Sequence, residues 1–336
     1  MLSSMTFAFN AVMPVVALMA FGYWLRQKGV FDAKFLKTAN SFNFRFCLSM
    51  MLFCNVYSLG DLRDIPWNFA LVAMAAFFAF TLVGWLCAVF CTKERSRKGV
   101  LMQNAFRSNM AIIGLPLAQA MAGQDGVVVS SAMQAPAVIY FNLMAVVALT
   151  LYADNGQKFS PKKVLRSIVT NPLIIGLSAG VVVLALRMVM PTNAAGELVF
   201  SLKRDLPWVY TTMNNLGKIA SPFALVVLGG QFNFSAMKGA KKELLVGVFC
   251  RLVFCPLVGY AAMFAAQSAG FITLSPAYVA TMVGMFASPV AVSSAVMAAE
   301  MGADDQLANQ LVVWTSLGSM VTVFLQIVLF RSMGLL

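Results

Sequence analysis

The chain has 336 residues, of which 60% are hydrophobic and only 11% charged, and its mean hydropathy is +0.82. Soluble chains are about a quarter charged, so a large soluble catalytic or ligand-binding domain is excluded and an all-α polytopic membrane protein is predicted. The net charge is +12 with no histidine; the basic residues sit in short loops and orient helices rather than bind nucleic acid, and neither metal nor cofactor is expected.

Apolar runs bounded by charge or turn residues predict ten transmembrane helices, at residues 6–26, 38–58, 68–91, 100–122, 127–152, 168–190, 207–231, 244–266, 276–299 and 306–330. The first run, Thr6 to Leu25, follows no basic residue and precedes no small-residue cleavage pattern, so it reads as a span and not a removed signal. The second and seventh are the least apolar. They carry Asn40, Asn43 and Arg45 in one and Asn214, Asn215 and Lys218 in the other, and should face protein or water. The six cysteines (Cys47, Cys54, Cys87, Cys91, Cys250, Cys255) form no CxxC and read as packing residues. Pro191 to Lys203 is expected to be an amphipathic surface helix or loop.

Loop charge sets the orientation. Loops 1-2, 3-4, 5-6 and 7-8 hold 15 basic residues, among them Arg26, Lys37, Arg97, Lys158 and Lys238. The opposite side holds five: Arg63, Arg187, Lys203, Arg204 and Arg331. The positive-inside rule places both termini outside the cytoplasm.

Two halves of five spans have opposite orientations, which predicts an inverted repeat. Gly114-Leu115-Pro116 in the fourth span and Ala287-Ser288-Pro289 in the ninth place prolines 173 residues apart. The same offset sets Pro222 on Ser49, Leu225 on Leu52 and Lys218 on Arg45. The first and sixth spans match at an offset of 158, Pro14 on Pro172. The chain is thus divided into a first five-helix repeat over residues 1–152, a cytoplasmic loop over 153–167 and a second repeat over 168–336.

A proline within a span removes a backbone hydrogen bond, and in lipid the orphaned carbonyl must line a cavity or find another partner. Pro116 and Pro289 therefore predict two broken helices crossing near the midplane, with N–H groups near Ala111 to Leu115 and Met285 to Ser288 facing an anion. Ordinary kinks are the bland reading of either proline alone. None of the twelve acidic residues lies in the middle of a span, whereas Arg45, Arg107, Lys218 and Arg251 lie within spans. That pattern argues for an anionic substrate and against a cation or a carboxylate proton relay. Arg45 and Lys218 are expected to act as a symmetric cationic pair beside the path. Arg251 is expected to snorkel to the surface, and Arg107 either snorkels or lines the path. Asn109, Gln134, Asn142, Ser293 and Ser294 supply neutral hydrogen bonds or hold helices together.

With Asn-Met-Ala-Ile-Ile-Gly-Leu-Pro-Leu from Asn109, Ala-Ser-Pro-Val-Ala-Val from Ala287, Leu-Gly-Lys-Ile-Ala-Ser-Pro-Phe-Ala-Leu from Leu216 and Asn-Pro-Leu-Ile-Ile-Gly from Asn171, the chain resembles the auxin efflux carrier family over essentially its whole length. That family includes plant auxin exporters and bacterial carriers of malonate or malate, and is related in fold to bile acid/sodium symporters. The resemblance implies a scaffold of spans 1, 2, 6 and 7, a transport domain of spans 3–5 and 8–10, elevator-like movement about a helix 4/9 crossover, and a role for Asn109 in holding a substrate carboxylate. Two departures stand out. Cys47-Leu48-Ser49 replaces the Ala-Leu-Pro usual in the second span, and the ninth span has no counterpart of Asn109. The short loop 5-6 favours a bacterial carrier over a plant auxin exporter.

The function expected is a secondary transporter of small organic anions, mono- or dicarboxylates such as malonate or malate, rather than an enzyme; no span holds a nucleophile with His or paired Asp. Substrate-binding residues expected are Asn109, Gly114, Pro116, Ser288, Pro289, Arg45, Lys218, Gln134, Asn142 and Ser293. Partners are a small carboxylate, the lipid bilayer, a coupling ion (proton or sodium) and a second copy as a homodimer. A bile-acid-type sodium symporter and a non-transporting ligand sensor are the alternatives.

Overall fold

The computed structural model describes residues 2–58, 65–152, 161–191, 198–233 and 239–336. Away from water an apolar chain satisfies its backbone by closing into helix, and among the described residues no strand forms. The chain opens on α1 (Leu2–Gln27). Asp32 caps the next helix, accepting the Phe35 N–H at 2.6 Å, and α2 (Ala33–Phe42) continues through a π turn at Asn43–Cys47 into α3 (Leu48–Tyr57). Then come α4 (Trp67–Cys91), α5 (Arg95–Phe106), a second π turn at Met110–Gly114 and α6 (Leu115–Leu151). The last is two helices joined at Gly123, whose φ of 60° suits glycine alone.

The second half runs α7 (Pro161–Thr170), α8 (Pro172–Val189), the short α9 (Leu202–Asp205), α10 (Pro207–Gln231), α11 (Lys241–Phe249), a third π turn at Cys250–Phe254, α12 (Cys255–Ser268), α13 (Pro276–Phe286), α14 (Ser293–Glu300) and α15 (Asp305–Ser332). Among the described residues, five helical runs are long and apolar enough to cross a membrane: Trp67–Cys91, Met110–Leu151, Pro172–Val189, Lys241–Ser268 and Asp305–Ser332. The chain is an all-helical, multi-pass membrane protein.

Of the expected loop at 153–167, the described part is helical. Residues 161–170 form α7, residues 153–160 with Lys158 lie outside the described residues, and α8 starts at Pro172 because Asn171 caps it, accepting the Leu173 N–H at 2.9 Å. Arg63 and Lys238 also lie outside the described residues. Of the expected outer segment Pro191 to Lys203, residues 192–197 do likewise. Val199 donates its N–H back to the Pro191 carbonyl at 3.1 Å and α9 follows.

Packing is close. α1 lies along α10, where Gly22 and Gly229 leave no room for a side chain against Val226 and Met19. α3 lies along α8, with Gly176 on the Ser49 backbone. Elsewhere α4, α6 and α13 share an aromatic core: Phe77 meets Phe141 edge-on at 4.7 Å between ring centroids and Phe286 at 5.6 Å. Arg97 at the start of α5 binds Glu94, Glu243 and Asp304, each at 3.0 Å, tying α5 to the starts of α11 and α15.

Candidate functional site

The fourth and ninth predicted spans are both broken, and the breaks meet. After Phe106 the chain leaves helical geometry, with Arg107 at ψ 88° and Asn109 at ψ 44°, before the π turn begins at Met110. After Phe286 it leaves again, and α14 starts only at Ser293. The two extended links pair as a single antiparallel bridge between Ser108 and Val290. Asn109 N–H donates to the Pro289 carbonyl and Ala291 N–H to the Arg107 carbonyl, both at 2.9 Å. Gly114 and Gly284 pack backbone on backbone beside the bridge.

The first break does not fall at Pro116. It falls seven residues earlier, at the polar triplet Arg107-Ser108-Asn109 that interrupts the apolar run, and Pro116 sits in the first turn of α6, where no N–H is needed. The widened turn at Met110–Gly114 absorbs the clash that proline makes with the preceding turn. Pro256 at the start of α12 follows the same kind of turn. The N–H groups expected to face a ligand are correspondingly engaged: Ile113 donates to Asn109 O, Leu115 to Met110 O and Ala287 to Val283 O. At the start of α14 the N–H groups of Ser294 and Ala295 are also engaged, on the Ala291 carbonyl at 2.9 Å and the Val292 carbonyl at 3.2 Å.

A pocket of about 80 Å³ lies on the crossover, lined by Arg107, Asn109, Asn142 and Ser293 among others, with no acidic residue among the described lining. Arg107 is 2% exposed. It donates to Asn142 Oδ1 at 3.0 Å, Gln103 Oε1 at 3.4 Å and Met297 Sδ at 2.8 Å. The amide Nδ2 of Asn109 is buried without a partner. Through Met51, Asn55, Ala111, Ile112 and Ser221 the pocket joins a cavity of about 770 Å³, lined by Pro116, Gln134, Lys218 and apolar residues including Val15, Leu18 and Leu225.

The expected site residues thus separate. Asn109, Asn142 and Ser293 share the small pocket; Pro116, Gln134 and Lys218 share the adjoining cavity. Gly114, Ser288 and Pro289 build the crossover frame instead of lining it: the Ser288 hydroxyl donates to the Gly284 carbonyl at 2.6 Å. Arg45 lines a third, polar cavity of about 840 Å³ with Arg26, Lys37, Asn40, Glu300 and Asp305, and shares no lining with Lys218. The structure does not bring the two cations together; both are exposed.

Arg251 does not snorkel. It is fully buried, and its guanidinium donates to Ser288 O at 2.9 and 2.6 Å, Ala105 O at 2.9 Å and Met285 O at 3.4 Å. These are carbonyls at the C-terminal ends of α5 and α13, the groups a broken helix leaves without partners. Its position in an apolar run with no acid nearby is the signal that fits this capping role.

The membrane transport protein family matches the chain over residues 7–327. No curated protein matches it.

Proposed function

The chain belongs to the auxin efflux carrier family of membrane transport proteins, and from that premise we propose that it is a secondary carrier of small organic anions, mono- or dicarboxylates such as malonate or malate. The observation that carries this reading is the crossover pocket: a buried cation and the unpartnered Asn109 amide converge there, with no carboxylate among the described lining. In low dielectric such an arrangement favours a negative ligand and rejects a positive one. The adjoining cavity gives a route in, and Lys218 on its wall attracts anions.

In this reading ten crossing segments form two inverted five-helix repeats. Spans 1, 2, 6 and 7 are a scaffold past which spans 3–5 and 8–10 carry the crossover, in elevator fashion, with both termini periplasmic. The close packing of α1 on α10 and of α3 on α8, set against the shared aromatic core of α4, α6 and α13, supports that division. Arg45 in one cavity and Lys218 in another fit a repeat whose matching residues serve opposite faces.

Uptake of labelled carboxylates, amines and neutral sugars by proteoliposomes tests it. Carboxylates alone should accumulate and should show counterflow against a preloaded carboxylate; accumulation of amines only, or binding without counterflow, contradicts the carrier reading.

A further inference from the structure

Two arginines lie buried at the crossover, and their surroundings differ in kind. Arg251 is occupied: four hydrogen bonds run to three main-chain carbonyls of α5, α13 and the link after it. Arg107 is 2% exposed, yet among the described residues its guanidinium hydrogen-bonds only to the side-chain amides of Gln103 and Asn142 and the thioether of Met297. A guanidinium has five N–H donors, and a thioether is a weak acceptor. Among the described residues no carboxylate lies within ion-pair distance of it. A buried charge without a counter-charge is costly, and in this fold it is not spent on holding the backbone.

We propose that Arg107 is the specificity-determining cation of the site, taking one carboxylate of the substrate in the 80 Å³ pocket while the rest of the molecule lies in the adjoining cavity. The inference rests on the organic-anion reading above and narrows it. The small pocket has room for a few water-sized groups, enough for a carboxylate head and not for a whole dicarboxylate. The Asn109 amide, whose Nδ2 has no partner, lines the same pocket and supplies a second donor. Asn142 holds the guanidinium through its Oδ1, while its own Nδ2 is fixed on the Val138 carbonyl at 2.9 Å, so the fork is oriented before the ligand arrives. Beyond the head, Val15, Leu18 and Leu225 suit a short hydrocarbon body, and Lys218 suits a second acidic group. Substrates are therefore carboxylates of a few carbons, with a second acidic group tolerated.

Thermal unfolding of the purified protein with acetate, malonate or chloride at matched ionic strength tests the assignment. The wild type should be stabilised saturably by both carboxylates at concentrations where chloride has little effect. Arg107→Gln should melt no lower than the wild type without ligand, because it removes an uncompensated charge, and should need at least tenfold more carboxylate for the same shift. Arg107→Lys, which keeps the charge and loses the fork, should respond at intermediate concentrations. A Gln variant with the wild-type concentration dependence overturns the proposal, with the carrier reading intact. A Gln variant that fails to fold or melts far below the wild type overturns it too, since Arg107 would then belong to the frame as Arg251 does. Equal stabilisation by chloride makes the site one for inorganic anions and also overturns it. A wild type indifferent to every carboxylate overturns the organic-anion reading itself.

Discussion

Gly114 and Gly284 face each other across the crossover with no side chain between them: a Cβ built on Gly284 would lie 2.6 Å from the Gly114 carbonyl oxygen, and one on Gly114 closer still to the Gly284 carbonyl. Main chain meets main chain on both sides, so neither position has a flexible neighbour that can yield. Gly284→Ala should therefore push the start of α6 away from α13 and cost about 1–3 kcal/mol, the usual penalty of overpacking. A lowered melting temperature of the purified protein checks it. Ala at Gly239, where a Cβ would meet nothing within 4 Å, should leave the melting temperature unchanged.

Arg251 gives the larger effect. Removing it strands the carbonyls of Ala105, Met285 and Ser288 in a dry interior, and each buried acceptor left without a partner costs about 1–3 kcal/mol. Arg251→Met should express poorly or melt far below the wild type. Arg251→Lys should recover only part of the loss, because one ammonium cannot reach three carbonyls in the geometry of a planar fork. Equal stability of Arg251→Met and the wild type would show that those carbonyls find other partners.

Much of the helical frame was legible because each apolar run is bracketed by charge, proline or glycine: α4 (Trp67–Cys91) and α10 (Pro207–Gln231) start within a residue of expectation. The position of the first break was not legible from proline alone. A proline tells where an N–H is missing, and Pro116 meets that condition in the first turn of α6 without opening the helix. The break follows the polar triplet Arg107-Ser108-Asn109, where the Arg107 carbonyl and the Asn109 N–H find partners in the other link. Which cations share a cavity was equally hidden, since an offset relates Arg45 to Lys218 in sequence and says nothing of distance. The role of Arg251 depends on carbonyls from two remote helices, a pairing that no local pattern carries.

Glu300 at the end of α14 reaches across to α2. Its carboxylate accepts from Asn40 Nδ2 at 3.1 Å and Ser41 Oγ at 3.3 Å, and the same Asn40 amide donates to the Val296 carbonyl at 3.3 Å. Hydrogen bonds to a charged group contribute about 1.5–3 kcal/mol when buried, and partial exposure here reduces that. Glu300→Ala should lower stability by about 1 kcal/mol and, in the elevator reading, speed counterflow by loosening α14 from α2. Slower counterflow at unchanged substrate affinity would mean that Glu300 takes part in the path and is no latch.

The loop charges predict that the C-terminal end of α15 faces the periplasm. Ser332 lies in the last turn of that helix and is exposed. A cysteine placed there should react with an impermeant thiol reagent on intact cells. Reaction only after lysis would reverse the orientation.

The most direct test of the central claim asks where the anion sits. Ala111 lines both the crossover pocket and the cavity leading to it, whereas Ala299 lines the separate polar cavity beside Arg45. Cysteines introduced at each position, measured against the parent protein as background, should be modified at rates that respond differently to malonate. Modification at Ala111→Cys should slow several-fold as malonate saturates, and that protection should vanish when Asn109→Ala is added; modification at Ala299→Cys should not change. Protection at Ala299→Cys alone, or protection at Ala111→Cys that persists without Asn109, would contradict a substrate site at the crossover.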